Sequence, residues 1–476
     1  MTILWTIEDM AKAMRADKAG VLPADISGLS IDSRSIGKGE AFFALTDTRD
    51  GHDFVEAALK AGAGVAVIKR DQRGRFPADA PLLMVDDVLE GLCDLARASR
   101  ARIAGQVIAV TGSVGKTGTK EALRLALSAD GETHASAASY NNHWGVPLSL
   151  ARCPASVKYA VFEIGMNHAG EITPLVAMVR PHVAIVTTIA PVHLEYFGSL
   201  EKIADAKAEI FTGIVEGGVA VLNRDNDQFA RLAAAAKAAG VSRVVTFGEG
   251  DEADAMLVRC ALQSDSSTVE AVILGEPVTY KLGAPGRHLV MNSLAVLAAV
   301  SLAGADLAHA ALALGNLKPA IGRGTRAILR VPGGQALLID ESYNANPASM
   351  AAAVALLGQA PVGPRGRRIA VLGDMLELGA PGPELHRGLS ELLAAAKIDL
   401  VFCSGPLMHS LWEALPSGRK GGYAETSAAL EPQVIEAVRA GDAVMVKGSL
   451  GSKMGPIVKA LERQFPREAA GEAAKV

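Results

Sequence analysis

The stretch IAVTGSVGKTGTK, residues 108–120, is where chemistry is most legible. An apolar run ends at Thr111. Gly112 and Gly115 then let backbone N–H groups turn inward, and Lys116 and Thr117 open a helix whose positive end faces the same point. Phosphate fits such a turn. Gly112, Ser113, Val114, Gly115 and Gly118 supply the backbone cradle, Lys116 neutralises β- and γ-oxygens, and the Thr117 hydroxyl ligates Mg2+. The match to G-x-x-x-x-G-K-[ST] lacks one glycine, because Val110 occupies the first position. Glu163 closes the apolar run YAVFE and precedes Ile164-Gly165, so its carboxylate is expected at the carboxyl end of a sheet, where ligands collect. Its oxygens suit Mg2+. Further on, residues 188–210 read TIAPVHLEYFGSLEKIADAKAEI, with His193 in a loop after a strand and Lys207 on an amphipathic helix. Taken singly, each also fits an ordinary surface residue. Guanine reading is disfavoured: the nearest approach to N-K-x-D, Asn223-Arg224-Asp225-Asn226, has Arg for Lys and Asn for the final Asp.

The elements that must hold these residues alternate. Short apolar runs at 64–69, 81–87, 106–112, 159–165, 182–190, 218–223, 336–342, 367–375, 398–403 and 443–449 are each separated by helix-period segments. That is the pattern of parallel sheets covered by helices, an α/β class, with a Rossmann-like cycle in the last third. A chain of 476 residues suggests about three domains. The runs and the punctuation at Lys318-Pro319 and Ile321-Gly322 divide it at 1–86, 87–321 and 322–476. Net charge is −4 and aromatic residues are 4% of the chain, which leaves neither a basic field nor stacking platforms for nucleic acid. Mean hydropathy is +0.25, yet the apolar stretch from Met291 to Gly315 is broken by Asn292, Ser293, Ser301, Asp306 and His309 and reads as a buried helix pair. No membrane span is expected. The four cysteines lie far apart without zinc spacing, so reduced structural thiols and a cytoplasmic location are expected. The N-terminus, with Glu8, Asp9 and Lys12 behind a short apolar start, offers no continuous signal-peptide core.

Motifs along nearly the whole chain resemble the Mur ligase family, the ATP-dependent amide-forming enzymes of peptidoglycan precursor synthesis. They are DSRSIGKGEAFFAL and DGHDF; TGSVGKTGTK, YNNHWGVPLSL, EIGMNHAGEI and APVHLEYFGSLEKIADAKAEI; and DESYNANPASM, LGDMLELG and VKGS. YNANP with GDM-x-ELG favours the member that adds D-alanyl-D-alanine to UDP-N-acetylmuramoyl-tripeptide, and no D-N-P-R element of the diaminopimelate-adding sibling is present. The resemblance implies a three-domain architecture: a UDP-sugar-binding N-terminal domain, a central ATP-binding domain and a C-terminal domain binding the dipeptide. It also implies a monomer working with ATP and Mg2+ through an acyl phosphate.

Residue by residue, the resemblance makes Lys116 the phosphate-binding lysine. Thr117, Glu163 and His193 become metal-site residues, and Lys207 a lysine carried as a carbamate. Asn292 is implied on the adenine side, Arg323 at the γ-phosphate and Asp340 at the ribose. Leu289 and Thr188 stand where many relatives have Asn. For the UDP-sugar peptide the expected contacts are Ser33, Arg34, Asn141 and Asn142; a Ser-Arg pair offers a hydroxyl and a bidentate guanidinium, and a surface turn is the plain alternative. Tyr343, Asn344, Asn346, Lys447 and Ser449 are expected around the dipeptide. A regulatory P-loop ATPase, or a sibling amino-acid-adding ligase, is the alternative function.

Overall fold

The alternating runs build three main sheets, laid out in chain order in a computed structural model that describes residues 3–137, 139–192 and 194–468. The first has five strands in the order Asp17–Ala19, Leu82–Val85, Val65–Lys69, Ala41–Phe43 and Leu29–Ser30, parallel except for the edge strand Asp17–Ala19. The last has six: an antiparallel hairpin, Thr325–Val331 with Gly334–Glu341, followed by the parallel strands Ala443–Lys447, Arg368–Gly373, Leu400–Ser404 and Lys420–Ala424.

The central sheet carries the phosphate loop. Its order is Glu276–Leu282, Ser267–Ile273, Ala255–Leu262, Arg243–Gly248, Val219–Asn223, Val183–Val186, Gln106–Thr111, Tyr159–Glu163 and Thr133–Ala135. The strand Gln106–Thr111 therefore lies between the strand ending in Glu163 and the strand leading to Thr187, with Glu163 opposite Val110 and Val186 opposite Thr111. Chain order reverses beside this strand, and at such a switch point the crevice beyond the carboxyl ends is open to a ligand. The expected parallel sheet is extended by an antiparallel meander over 255–282, whose strands alternate buried residues such as Val269, Ala271 and Ile273 with solvated ones.

The apolar residues sort into distinct cores. One runs continuously from Trp5 and Met10 through Leu92 and Leu95 to Phe162, Ile203 and Phe211, so the N-terminal elements and one face of the central sheet share it. Polar ties cross the same boundary. Trp5 Nε1 donates to Ala151 O at 2.9 Å, the Arg102 guanidinium stacks 3.5 Å from the Trp5 ring centroid, and Arg152 Nε donates to Leu29 O at 2.7 Å. The opposite face of the central sheet buries the expected helix pair, Arg287–Leu302 and Leu307–Ala313. The last sheet has its own core on each face. Among the described residues no helix is long and apolar enough to cross a membrane. All four cysteines are free; burial pushes the thiol of Cys93 up to about 11 and those of Cys153 and Cys403 to about 12, as inert packing groups.

Candidate active site

A cleft of about 570 Å3 opens at the carboxyl end of strand Gln106–Thr111. Ser113, Val114, Gly115, Lys116, Thr117 and Gly118 line one wall, while Arg323, Tyr343, Asn344, Asn346 and Lys447 face them from the C-terminal third. The loop's shape follows from its glycines: Gly112 has φ 143° and Gly115 φ 87°, the latter as N-cap of helix Lys116–Ser128. Ser113 N donates to Thr188 O at 2.8 Å, Thr187 Oγ1 donates to Val114 O at 2.6 Å, and Lys116 Nζ donates to Gly112 O at 2.7 Å. The lysine thus folds back over its own loop. Ser113 Oγ is buried without a hydrogen-bond partner, and the first helical N–H groups have no acceptor within the helix. An anion supplies what both lack.

The cleft sets Lys116, Lys318, Arg323 and Lys447 against Glu121, Glu163 and Glu341. Burial holds the Lys116 ammonium below the usual lysine range, Glu163 draws it partly back, and Arg323 pushes it down again from across the cleft. Lys447, also lowered by burial, donates to Glu341 Oε2 at 3.3 Å and to Asn344 O at 2.9 Å. Arg323 stacks 4.3 Å from the Tyr343 ring centroid, leaving its donors free to turn toward the loop.

The residues present fit a hard divalent cation. Glu163 is 1% exposed; its Oε1 accepts from Asn141 Nδ2 at 2.6 Å, and its Oε2 is buried without a partner. Thr117, in the first turn of helix Lys116–Ser128, is buried and lines the same cleft, its Oγ1 3.4 Å from Ser139 Oγ. Among the described residues there is no cluster of three His, Cys, Asp or Glu. Such a sparse donor set suits Mg2+, which keeps several waters and takes phosphate oxygens as ligands. Lys207, on helix Leu200–Ala208, is 1% exposed, and its ammonium is pushed far below the usual range by burial first and by Lys116 second. The pull of a carboxylate does not enter. His193 lies outside the described residues.

Other expected residues fall into three groups. Asn292 and Leu289, on helix Arg287–Leu302, line the cleft next to Gly115 and Gly118. Ser33 and Arg34 line a separate hollow of about 390 Å3 with Asp32, Arg49, Tyr140 and Trp144, the two aromatics coming from the central third. There the Arg34 guanidinium pairs with Asp32 in two bonds of 2.9 and 2.7 Å, and with it holds the Asp32 carboxyl at about 2. Lys207 does not line the cleft, and neither do three more residues, each engaged in local structure. Asn142 Oδ1 accepts from Trp144 N and Gly145 N, Asp340 Oδ1 accepts from Ser342 N and Oγ, and Ser449 Oγ donates to Ala345 O while accepting from Leu376 N. Asn346, though in the cleft wall, also caps helix Pro347–Gly358 through Ser349. Sequence reasoning passed over Glu341, His288 and Ser139, all of which line the cleft.

Comparison with known proteins agrees in all three thirds. Residues 25–100 match the Mur ligase family catalytic domain, 110–300 the Mur ligase middle domain and 328–450 the Mur ligase glutamate ligase domain. The UDP-N-acetylmuramoyl-tripeptide–D-alanyl-D-alanine ligase of Escherichia coli is 36% identical over 450 residues, covering 92% of this chain and 95% of its own, and that of Bacillus subtilis is 34% identical over 92% and 93%. Among solved structures, MurF from Acinetobacter baumannii superposes with TM-score 0.82 at 30% identity, covering 96% of this chain and 99% of that one. MurF from Thermotoga maritima in complex with ADP gives 0.74 at 26%, over 92% and 97%. With an α/β fold in three parts, a phosphate loop at the sheet's switch point and relatives matched end to end, the chain belongs to the Mur ligase family.

Proposed function

We propose that this chain is an ATP-dependent ligase that joins D-alanyl-D-alanine to UDP-N-acetylmuramoyl-tripeptide. The carrying observation is one cleft in which the phosphate loop and Glu163 face Arg323 and Lys447 from the C-terminal third. A carboxylate does not condense with an amine until its oxygen is made a leaving group, so the γ-phosphoryl of ATP passes first to the terminal carboxylate of the tripeptide. Both reactants are anions. Lys116, Arg323 and Lys447 offset their repulsion, and the loop N–H groups orient the phosphates; losing one such contact typically costs about 10² to 10³ in rate. The dipeptide amine then attacks the acyl phosphate, and the tetrahedral adduct collapses to amide and inorganic phosphate.

Thr117 and Glu163 would hold Mg2+, with His193 and carbamylated Lys207 completing the set; when bound, the ion screens the phosphate oxygens. Burial favours the neutral Lys207 amine, the form that adds CO2, and the addition turns a repelling cation into an anionic donor. Asn292 and Leu289 flank the adenine end. Ser33 and Arg34 take the UDP group, with Asn141 toward the sugar peptide, and Tyr343, Asn344, Asn346 and Lys447 surround the dipeptide. Divisions at 86/87 and 321/322 separate the three domains. The test is phosphate release with each acceptor alone and with both, with the product identified by mass spectrometry. A ligase needs both substrates; release that ignores them marks a regulatory ATPase and overturns the proposal.

A further inference from the structure

Helix Ile172–Val179 begins without a side-chain cap of its own, since Glu171 makes no capping bond to it. Its cap comes from a distant part of the chain. Glu209 Oε2 accepts from Ile172 N at 3.1 Å, Thr173 N at 3.0 Å and Thr173 Oγ1 at 3.0 Å, while Oε1 accepts from Gly170 N at 2.6 Å. Gly170 has φ 86°, a turn that presents its N–H to this carboxylate. Glu209 stands two residues after Lys207, where helix Leu200–Ala208 passes into the 3-10 turn Glu209–Gly213. The loop it grips is the continuation of the Glu163 strand, and Gly165, Met166 and Asn167 of that loop line the cleft. A second tie runs the same way: His168 meets the Tyr196 ring at 5.0 Å between centroids, while Glu171 accepts from Asn167 N at 2.7 Å and holds the loop closed.

We propose that Glu209 is a positioning residue for the metal site: its four bonds lock the loop that follows Glu163 to the end of the helix that carries Lys207, and so set the separation of the two donors. This rests on the metal site proposed above. Packing alone does not supply the lock. Ile210 and Phe211 are fully buried in the core they share with helix Ile172–Val179, but among the described residues it is the Glu209 carboxylate that bonds the helix start and Gly170. Partners behind metal ligands typically govern affinity by about 10- to 100-fold.

The experiment compares the parent with Glu209→Ala and Glu209→Gln by Mn2+ titration in the presence of ADP, read by electron paramagnetic resonance, and by the Mg2+ dependence of ligation. Expected for Glu209→Ala are Mn2+ binding weakened about tenfold or more, an equal rise in the Mg2+ concentration for half-maximal rate, and kcat at saturating Mg2+ within about twofold of the parent. Glu209→Gln, which keeps one acceptor oxygen, falls between, and carries the comparison should the alanine variant not fold. Metal-free ADP binding stays unchanged. Mn2+ affinity equal to the parent's, even with faster amide exchange at residues 170–173, overturns the inference and leaves Glu209 a helix cap. A parent that binds no Mn2+ overturns the metal site itself.

Discussion

Replacing Gly112 by alanine tests whether the phosphate loop is held in the shape that the cleft needs. The new Cβ would overlap Thr187 Oγ1 and come within 3.1 Å of Thr187 N and 3.2 Å of its Cβ. At φ 143° the backbone is also in a region that side chains rarely adopt, which costs about 1–3 kcal/mol, and overpacking adds about 1–3 kcal/mol. Thr187 cannot simply retreat, because its Oγ1 donates to Val114 O at 2.6 Å and that bond pins the loop's turn. The loop therefore shifts, and if about 3 kcal/mol of that distortion must be reversed to bind nucleotide, ADP affinity falls about 100-fold. Calorimetric ADP titration of Gly112→Ala, Thr187→Ala and the double variant reads this directly. Removing the Thr187 hydroxyl relieves the overlap but not the backbone strain, so the double variant should recover part of the loss, with a coupling of about 1–3 kcal/mol. An ADP affinity in Gly112→Ala equal to that of the parent would refute the reasoning, as would strict additivity.

Lys116→Ala should abolish ligation while far-ultraviolet circular dichroism stays that of the parent, since the side chain bonds only to its own loop; near-parental turnover removes Lys116 from the mechanism. Lys207→Ala should lose activity and regain part of it with added short carboxylic acids that stand in for the carbamate, and indifference to both changes removes the metal role. His386 is fully buried, with Nε2 accepting from Met375 N at 2.9 Å and Nδ1 2.6 Å from Gly382 O, and burial lowers its pKa. Below about pH 6.5 the unfolded chain therefore takes a proton that the folded one refuses, so stability drops on acidification by up to about 1.4 kcal/mol per pH unit. Urea midpoints at neutral and mildly acidic pH should converge between parent and His386→Gln as pH falls, because His134 and His182 act alike in both and cancel; a constant gap contradicts the assignment. Arg100 donates to Val179 O at 2.7 Å and Arg180 O at 2.8 Å, so Arg100→Ala orphans the buried Val179 carbonyl and should lower the unfolding free energy by about 1–3 kcal/mol, read from urea denaturation.

The phosphate loop was readable because its glycines leave few conformations and because a strand end and a helix start are both visible in the apolar pattern around them. Glu163 was readable for the same reason: the end of an apolar run fixes where a carboxylate emerges. Lys207 alone was not, since a lysine on an amphipathic helix reads as surface. Its i, i+4 relation to Ile203 does place both on the buried face, a signal visible only once the helix's inward stripe is known. Asn142 shows the converse, for an amide written next to the Asn141 that bonds Glu163 is spent on the N–H groups of Trp144 and Gly145. Asp340 and Glu341 are consecutive on one strand and point to opposite faces, so the pair announces one cleft-facing acid without saying which; Glu341 lines the cleft. The meander over 255–282 was missed because Arg259, Glu270 and Lys281 interrupt the apolar runs on its solvated face. Nothing local joins Tyr140 and Trp144 to Ser33 and Arg34, because that hollow exists only after two sheets have packed.

Packing also decides which parts of the site are formed before substrate arrives. The hollow at Ser33 and Arg34 is walled by elements that share one continuous core and are tied by Trp5, Arg102 and Arg152, so its two halves cannot separate without exposing that core. The cleft at the phosphate loop differs, because the C-terminal third that supplies Arg323 and Lys447 keeps its own cores, separate from those beneath the phosphate loop. The loop Asp374–Gly379 bridges the two bodies: Glu195 N donates to Glu377 O at 3.2 Å, and Gly379, at φ 65°, lies against the Glu195 backbone. His386 and Ser449 hold that loop from behind through Met375 N and Leu376 N. Opening the cleft breaks polar contacts such as that of Glu195 N with Glu377 O, whereas opening the Ser33 hollow would break a hydrophobic core. Motion is therefore expected at the weaker boundary, between the C-terminal sheet and the phosphate loop, while the hollow at Ser33 and Arg34 stays formed.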